Sequence, residues 1–206
     1  FSGDGVDTLF GGLGSDTLDF SPGLQPAVVD LSTGAVANDG SGNAETVSGF
    51  EAVVGTTGDD TLTFGLGTTM TGGAGDDLFI VGDGIGLNNV ITDFTAGSGS
   101  PDVIDLIAFG FSNLAEVQGV SSDDGTNTTI QLDGDDALVL ENVQVADLAA
   151  SDFIFDFTPT AQFSVDDIDG TNGFFVGSSQ NNTGFGESGD GVAEQDERFA
   201  IAAIAE

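Results

Sequence analysis

The sequence is unusual first for what it does not contain. Its 206 residues include no cysteine, histidine, tryptophan, tyrosine or lysine, and the only basic side chain is Arg198. Without cysteine there are no disulfides, and the redox state of the compartment cannot be read from the chain. A serine hydroxyl without a neighbouring base is not an activated nucleophile. We therefore expect no enzymatic activity from these residues.

These absences also exclude classes of partner. Lysine and arginine neutralise the phosphates of nucleic acids, so nucleic acid is not an expected partner of this chain. We find no apolar run long enough to span a membrane and no signal peptide. The sequence begins at Phe1 inside a repeat, without an initiator methionine, which favours a fragment or a processed product. A missing targeting signal therefore excludes little.

The charge of the chain is almost entirely of one sign. The sequence has 35 acidic residues and one basic residue, a formal net charge of −34. Self-repulsion of this size opposes a compact state. Two interpretations remain open: the chain is disordered, or bound cations offset its charge and couple metal binding to folding. The regular spacing of leucine, phenylalanine, isoleucine and valine favours the second interpretation.

Four nine-residue segments fit the pattern G-G-x-G-x-D-x-U-x, in which U is a large apolar residue, with Ser2 and Thr56 each in place of one leading glycine. They cover residues 2–10, 11–19, 55–63 and 72–80. Glycine permits the positive φ angles of a tight loop around an ion. The apolar position follows the aspartate by two residues and is occupied by Leu9, Leu18, Leu62 and Phe79.

These segments resemble the hemolysin-type calcium-binding repeats of the RTX (repeats-in-toxin) family. The resemblance implies an all-β fold, a parallel β-roll in which each nonapeptide forms a turn and a short strand with U pointing inward. It also implies bound Ca²⁺, since calcium takes six to eight oxygen ligands and the turns offer carboxylates and main-chain carbonyls. The family is secreted by bacteria through type I systems.

The same resemblance implies a set of calcium ligands. The carboxylate ligands would be Asp7, Asp16, Asp60 and Asp77, and the carbonyl ligands would come from Gly3, Gly5, Gly12, Gly14, Gly58, Gly73 and Gly75. Weaker candidates are Asp4, Asn89, Asp93, Asp167 and Asp169. Since Asp60 and Asp77 lie about one full coil apart, we expect them on the same side of the roll. Asp59 and Asp76 are predicted to be exposed acids, and the pair Asp135–Asp136 a solvated loop.

The domain organisation follows from where the repeats stop. The roll is predicted over 1–100, with longer coils inserted at 20–54, where Ala27–Leu31 and Glu45–Val54 indicate strands and 37–43 a polar loop. A β-rich cap is predicted over 101–157, with a hairpin formed by Thr128–Leu132 and Ala137–Leu140. Residues 158–206 resemble part of an FG-GAP repeat and are predicted to be a short additional β segment, a tail or a fragment of a longer chain.

The function implied is that of a non-catalytic calcium-binding structural module of a secreted or cell-surface bacterial protein, which folds on extracellular calcium. Two alternatives stay open beside it. One is a subunit of an S-layer, a filament or an adhesin, which would take copies of itself or other surface proteins as partners. The other is a calcium-binding appendage of a secreted enzyme whose catalytic domain is absent here. An intact glycan-binding module is a third, separate hypothesis.

Overall fold

The structure is a computed structural model that describes residues 5–87, 89–99 and 101–156. Within these ranges the chain forms short strands, one α-helix and three 3₁₀ turns, and no helix has the length and apolar character needed to cross a membrane. The predicted segment 158–206 lies outside the described residues. The strands are β1 (Thr8–Phe10), β2 (Thr17–Asp19), β3 (Ala27–Asp30), β4 (Ala35–Asp39), β5 (Glu45–Ser48), β6 (Ala52–Val54), β7 (Thr61–Thr63), β8 (Thr69–Thr71), β9 (Leu78–Ile80), β10 (Asn89–Ile91), β11 (Val103–Asp105), β12 (Ser121–Asp123), β13 (Thr128–Gln131), β14 (Ala137–Leu140) and β15 (Phe153–Ile154); the helix is α1 (Leu114–Gly119), and the 3₁₀ turns are Ile107–Phe109, Val145–Asp147 and Ala150–Asp152.

The strands that follow the glycine-rich turns bury their central residue. Leu62 and Phe79 are fully buried and Leu18 is 4% exposed, whereas the residues on either side of each are half-buried or exposed. This alternation is the period-two pattern of a strand with one face against a core. The predicted inward position is thus confirmed for these three residues. Leu9, in β1 at the edge of its sheet, is only half-buried.

Along the repeats, consecutive strands such as β7 and β8, or β8 and β9, lie in different sheets. Sheet 1 has eight strands in the order β1-β5-β4-β3-β7-β9-β11-β15, and sheet 2 has seven in the order β12-β13-β14-β10-β8-β6-β2. The repeat region pairs in parallel: β7 with β9, Thr61 opposite Leu78, and β6 with β8, Ala52 opposite Thr69. Each parallel partner therefore comes from the next coil of the chain.

Both sheets are mixed rather than wholly parallel. In sheet 1, β4 is antiparallel to β3 and to β5. The predicted polar loop at 37–43 is wrong in its first half, because β4 extends to Asp39 and buries Val36. The strand ends where the carboxylate of Asp39 accepts main-chain N–H groups of Ser41 and Asn43. The all-β part of the fold prediction is confirmed.

The C-terminal part of the described chain continues sheet 2. The predicted hairpin is confirmed as β13 and β14, which pair antiparallel, and β14 in turn pairs in parallel with β10. Helix α1 was not predicted from the sequence. Its signal is an N-cap, in which the side chain of Asn113 accepts the N–H of Glu116 at 3.1 Å, and the carboxylate of Glu116 accepts the N–H of Ser112 at 2.8 Å. Val117 anchors this helix in the core.

The buried apolar side chains form one cluster, which includes residues of both sheets and of α1. Its fully buried members come mostly from strand centres and from the residue after a strand. The largest are Phe64, Phe79, Leu62, Met70, Ile91, Ile104, Leu106, Ile130, Leu138 and Leu140.

We predict that Phe79→Ala lowers the free energy of unfolding by about 3–5 kcal/mol, because it removes a fully buried ring from this cluster. Phe10→Ala is the matched control, since Phe10 is 75% exposed and its loss should change stability by no more than about 0.5 kcal/mol. Urea denaturation of both variants in calcium measures the difference. Equal losses would show that β9 does not hold the core.

Candidate metal centre

The turns that join the two sheets lie at two edges, defined here by the direction of the chain. At edge 1 the chain passes from sheet 1 to sheet 2, through turns such as 11–16 and 64–68. At edge 2 it passes from sheet 2 to sheet 1, through turns such as 55–60 and 72–77. Parallel strands of a sheet begin at one edge, so residues that precede successive strands stack there.

Edge 2 carries a stack of aspartates that we call the aspartate ladder: Asp60, Asp77 and Asp102. The N–H of Asp60 donates to Oδ1 of Asp77 at 2.9 Å, and the N–H of Asp77 donates to Oδ1 of Asp102 at 3.3 Å. At the other end of the ladder, the N–H of Ala27 donates to Oδ1 of Asp60 at 2.6 Å. The prediction that Asp60 and Asp77 share one side is confirmed.

The ladder carboxylates also bind their own turns. Oδ2 of Asp60 accepts the N–H of Thr56 at 2.5 Å, and Oδ2 of Asp102 accepts the N–H of Thr95 at 2.8 Å. Asp152, which precedes β15, likewise accepts the N–H of Ala149 at 2.8 Å. Main-chain donors aimed at a charged acceptor make strong hydrogen bonds. They hold these carboxylates, all at most 5% exposed, in the interior without a basic partner among the described residues.

The nonapeptide pattern did not predict Asp102 and Asp152, because neither ends a G-G-x-G-x-D turn. A signal was nevertheless present. Each aspartate directly precedes an apolar strand pair, Val103-Ile104 and Phe153-Ile154, as Asp77 precedes Leu78-Phe79.

The two glycine turns at edge 2 are in close contact. Gly73 has φ +111°, and a Cβ built on it would lie 2.1 Å from the carbonyl oxygen of Thr56. Gly75 has φ +129°, and its Cβ would lie 2.7 Å from the carbonyl oxygen of Gly58. Only glycine fits at these two positions, where main-chain oxygens of turn 55–60 approach turn 72–77 directly.

The corresponding turn in the second nonapeptide is open on one side. Gly12 and Gly14 also have positive φ, +106° and +120°, but no described residue lies within 4 Å of a Cβ built on either. The same holds for Gly5, with φ +139°. The predicted carbonyl ligands therefore fall into two groups: the Gly58, Gly73 and Gly75 set in stacked turns, and the Gly5, Gly12 and Gly14 set in open ones.

The first-coil aspartates each face a glutamate across one step of the sheet. The N–H of Asp7 donates to Oε2 of Glu45 at 2.6 Å, and at edge 1 the N–H of Asp16 donates to Oε2 of Glu51 at 3.0 Å. Two buried side-chain oxygens of the described chain have no hydrogen-bond partner, and both belong to this region: Oδ2 of Asp16 and Oε1 of Glu45.

The weaker candidate ligands lie in different surroundings. Asp93 accepts the N–H groups of Gly72 and Gly73, both at 2.9 Å, so its carboxylate caps turn 72–77. Asn89 is fully buried, accepts the N–H of Thr68, and donates to three main-chain carbonyls. Its role as a ligand remains a prediction, as does that of Asp93. Gly3, Asp4, Asp167 and Asp169 lie outside the described residues.

A further carboxylate group was not anticipated. Ligand atoms of Asp83, Asp133 and Asp136 lie within 4.8 Å of one another. Asp136 is buried and accepts the N–H of Gly84 at 2.7 Å and the N–H of Gly86 at 2.5 Å, so the prediction that it is solvated was wrong. Asp83 is distant in sequence from the other two, which is why no local pattern indicated the group. Asp59 and Asp76 are exposed, as predicted.

The ladder concentrates negative charge that no basic side chain among residues 5–156 neutralises. Burial raises the pKa of Asp77 to about 6, and the carboxylates of Asp60, Asp102 and Asp93 add to this, while its hydrogen bond from the N–H of Asp60 acts in the opposite direction. Burial also raises the pKa of Asp102. A cation held at this edge would reverse both effects, because it favours the ionised form.

Solved structures similar to this chain include one from a bacterial enzyme. It is the solution structure of the AlgE6R3 subunit from the Azotobacter vinelandii mannuronan C5-epimerase, 24% identical, with a TM-score of 0.38 over 95% of this chain and 94% of that chain. At this TM-score the likeness decides neither fold nor function. No family model and no curated protein matches the sequence.

We predict that Gly73→Ala destabilises the protein more than Gly12→Ala. Both glycines have a similar positive φ, so both variants carry a comparable backbone strain, but only Gly73 would also meet the carbonyl of Thr56. The added clash should cost about 1–3 kcal/mol. Urea denaturation in calcium compares the two. A Gly12→Ala loss as large as that of Gly73→Ala would contradict close stacking of the edge 2 turns.

The raised pKa of Asp77 predicts a pH dependence of the metal-free protein. Because the folded pKa of about 6 exceeds the unfolded value of 3.8, the folded state binds more protons between these values. This contribution to stability is fully present below about pH 4 and is lost as the pH rises through about 6. In chelator, the folded fraction measured by circular dichroism should therefore be larger at pH 5 than at pH 7. Asp77→Asn should reduce that difference, and a variant with the wild-type pH dependence would refute the assignment to Asp77.

Proposed function

We propose that this chain is a non-catalytic calcium-binding module with a β-roll of the RTX kind, in which ions between stacked aspartate turns drive folding. One observation supports the proposal most. Turns 55–60 and 72–77 stack directly, and bring Asp60 and Asp77 one coil apart in a chain with 35 acids and one base.

The ligand chemistry of the edge favours calcium. Stacked turns offer carboxylates and main-chain carbonyls, which are the hard oxygen donors that calcium takes in flexible geometry. The chain has no histidine or cysteine, so the nitrogen and sulfur ligands that favour zinc or copper are missing. The group formed by Asp83, Asp133 and Asp136 has the same hard-oxygen character and also suits a divalent ion.

The electrostatics of the edge give calcium a role in folding. Burial, and to a smaller extent the neighbouring carboxylates, raise the pKa of Asp77, so the ionised ladder is costly to fold without a cation. An ion that binds the folded chain and not the unfolded one stabilises the fold by mass action. Folding would then depend on the calcium concentration of the surroundings, which suits a secreted or cell-surface module that must stay unfolded until export.

We predict that calcium addition increases the β signal of the metal-free chain in far-ultraviolet circular dichroism. Asp77→Asn should raise the calcium midpoint on the order of tenfold, equivalent to about 1.4 kcal/mol. Asparagine keeps an oxygen that can accept the N–H of Asp60, so the substitution removes the charge and leaves the acceptor in place. Asp60→Asn should behave in the same way.

The adjacent exposed acids provide matched controls. Asp76→Asn and Asp59→Asn remove the same charge one residue away, and we expect little change in the midpoint from either. Equal β signal in chelator and in calcium would overturn the proposed function. Unchanged midpoints in both Asp60→Asn and Asp77→Asn would show that calcium binds elsewhere.

A further inference from the structure

Glu45 is a buried carboxylate with one oxygen unaccounted for. The residue is 4% exposed, and among the described residues its Oε1 has no hydrogen-bond partner, while Oε2 accepts the N–H of Asp7 at 2.6 Å. An ionised carboxylate in the interior is strongly destabilising unless it is paired or fully hydrogen-bonded. With one basic residue for 35 acids, the chain cannot supply general counter-charge from its own side chains.

The position of Glu45 matches that of a ladder aspartate. It faces Asp7 across β1 and β5 as Asp77 faces Asp60 across β7 and β9, with the earlier residue donating its N–H to the later carboxylate. The same contact recurs at edge 1, where Asp16 donates to Glu51. Glu45 therefore occupies an aspartate position of the roll, although the turn before it, residues 40–44, does not match the G-G-x-G-x-D pattern.

The second oxygen distinguishes Glu45 from the ladder. In Asp60 and Asp102, the second oxygen accepts an N–H from the residue's own turn, donated by Thr56 and Thr95. No described main-chain or side-chain group donates to Oε1 of Glu45. On its other side, β5 pairs with β4, where Val36 lies opposite Glu45 and offers only an apolar side chain. A cation that prefers oxygen ligands would compensate for the missing hydrogen bond to this buried oxygen.

We propose that Glu45 and Asp7 together hold a calcium ion at the first step of edge 2, with Oε1 of Glu45 as a ligand. The inference rests on the proposed function. It extends that function to a pair of turns of which only one, the turn that ends at Asp7, belongs to a nonapeptide. Two carboxylates together with main-chain oxygens and water complete the six to eight ligands that calcium takes.

The test counts calcium ions bound to the full chain by isothermal titration after metal removal. Glu45→Gln keeps the size of the side chain and an acceptor for the N–H of Asp7, and it should bind one ion fewer than the wild type. Glu141→Gln is the matched control at an exposed glutamate and should bind the wild-type number. Asp7→Asn should lose the same ion, so the double variant with Glu45→Gln should lose one ion in total and not two.

The melting temperature in chelator and in calcium gives a second test. If Glu45 had only a structural role, its substitution would change the melting temperature in the same direction in both conditions. In chelator, Glu45→Gln should have a higher melting temperature than the wild type, because it removes a buried unpaired charge. In calcium the order should reverse, since only the wild type gains the ion. The same shift in both conditions, or a wild-type ion count in Glu45→Gln and in Asp7→Asn, would overturn the inference.

The two proposals fail in distinguishable ways. If the wild type binds calcium and both variants bind the same number of ions as the wild type, only the site at Glu45 and Asp7 is refuted. A wild type that binds no calcium sinks the proposed function as well. If Glu45→Gln does not fold, the ion count of Asp7→Asn decides the question, because Asp7 is half-buried and its substitution keeps the N–H that donates to Oε2 of Glu45.

Discussion

The fold depends on one contact repeated from coil to coil. A carboxylate at the start of one strand accepts the main-chain N–H at the start of the neighbouring strand in the same sheet, which belongs to the preceding coil. Asp77 holds Asp60 in this way, and Asp102 holds Asp77. The strands of the repeats have only three residues, too few to be stable by their own pairing. The hydrogen bond to the carboxylate continues the main-chain pairing beyond the start of each strand, and so fixes the register of each coil on its neighbour.

This contact has an electrostatic cost that no basic side chain in the described part of the chain relieves. Most coils that join the stack at edge 2 bring another buried carboxylate next to the last, and burial, with a smaller contribution from the carboxylates of Asp60, Asp102 and Asp93, raises the pKa of Asp77. Main-chain N–H groups compensate part of the charge, but they cannot neutralise it. The proposed calcium ions would supply the missing charge, which makes metal binding and coil stacking one process.

The two edges differ in how they fill the position before each strand. Edge 1 uses Asp16, Glu51, Thr68, Asn89 and Asp136, and at Thr68 and Asn89 a neutral pair replaces the carboxylates, with the Asn89 amide donating to main-chain carbonyls. Edge 2 uses acids at most steps: Asp7, Glu45, Asp60, Asp77, Asp102 and Asp152. The neutral substitution keeps the hydrogen bond and removes the charge. Edge 2 is therefore where cations are most needed.

The sequence by itself determined the local elements. The glycine-rich nonapeptides predicted turns, short strands and inward Leu18, Leu62 and Phe79, because positive φ and period-two burial are properties of nearby residues. It also predicted that Asp60 and Asp77 share an edge, since their separation equals one coil. The strand β4 and helix α1 were missed, although the capping pair Asn113 and Glu116 was there to be read.

Only the tertiary structure decided which distant residues meet. Glu45 stacks on Asp7 because the longer coil returns to the same edge, and Asp83 approaches Asp133 and Asp136 because the hairpin continues sheet 2. The burial of Asp136 and the orphaned oxygen of Glu45 likewise depend on what packs around them. The charge of the chain and its turn-forming residues can be read from the sequence. The burial and hydrogen bonding of a carboxylate depend on the neighbouring coil, which is distant in sequence and does not appear in a local pattern.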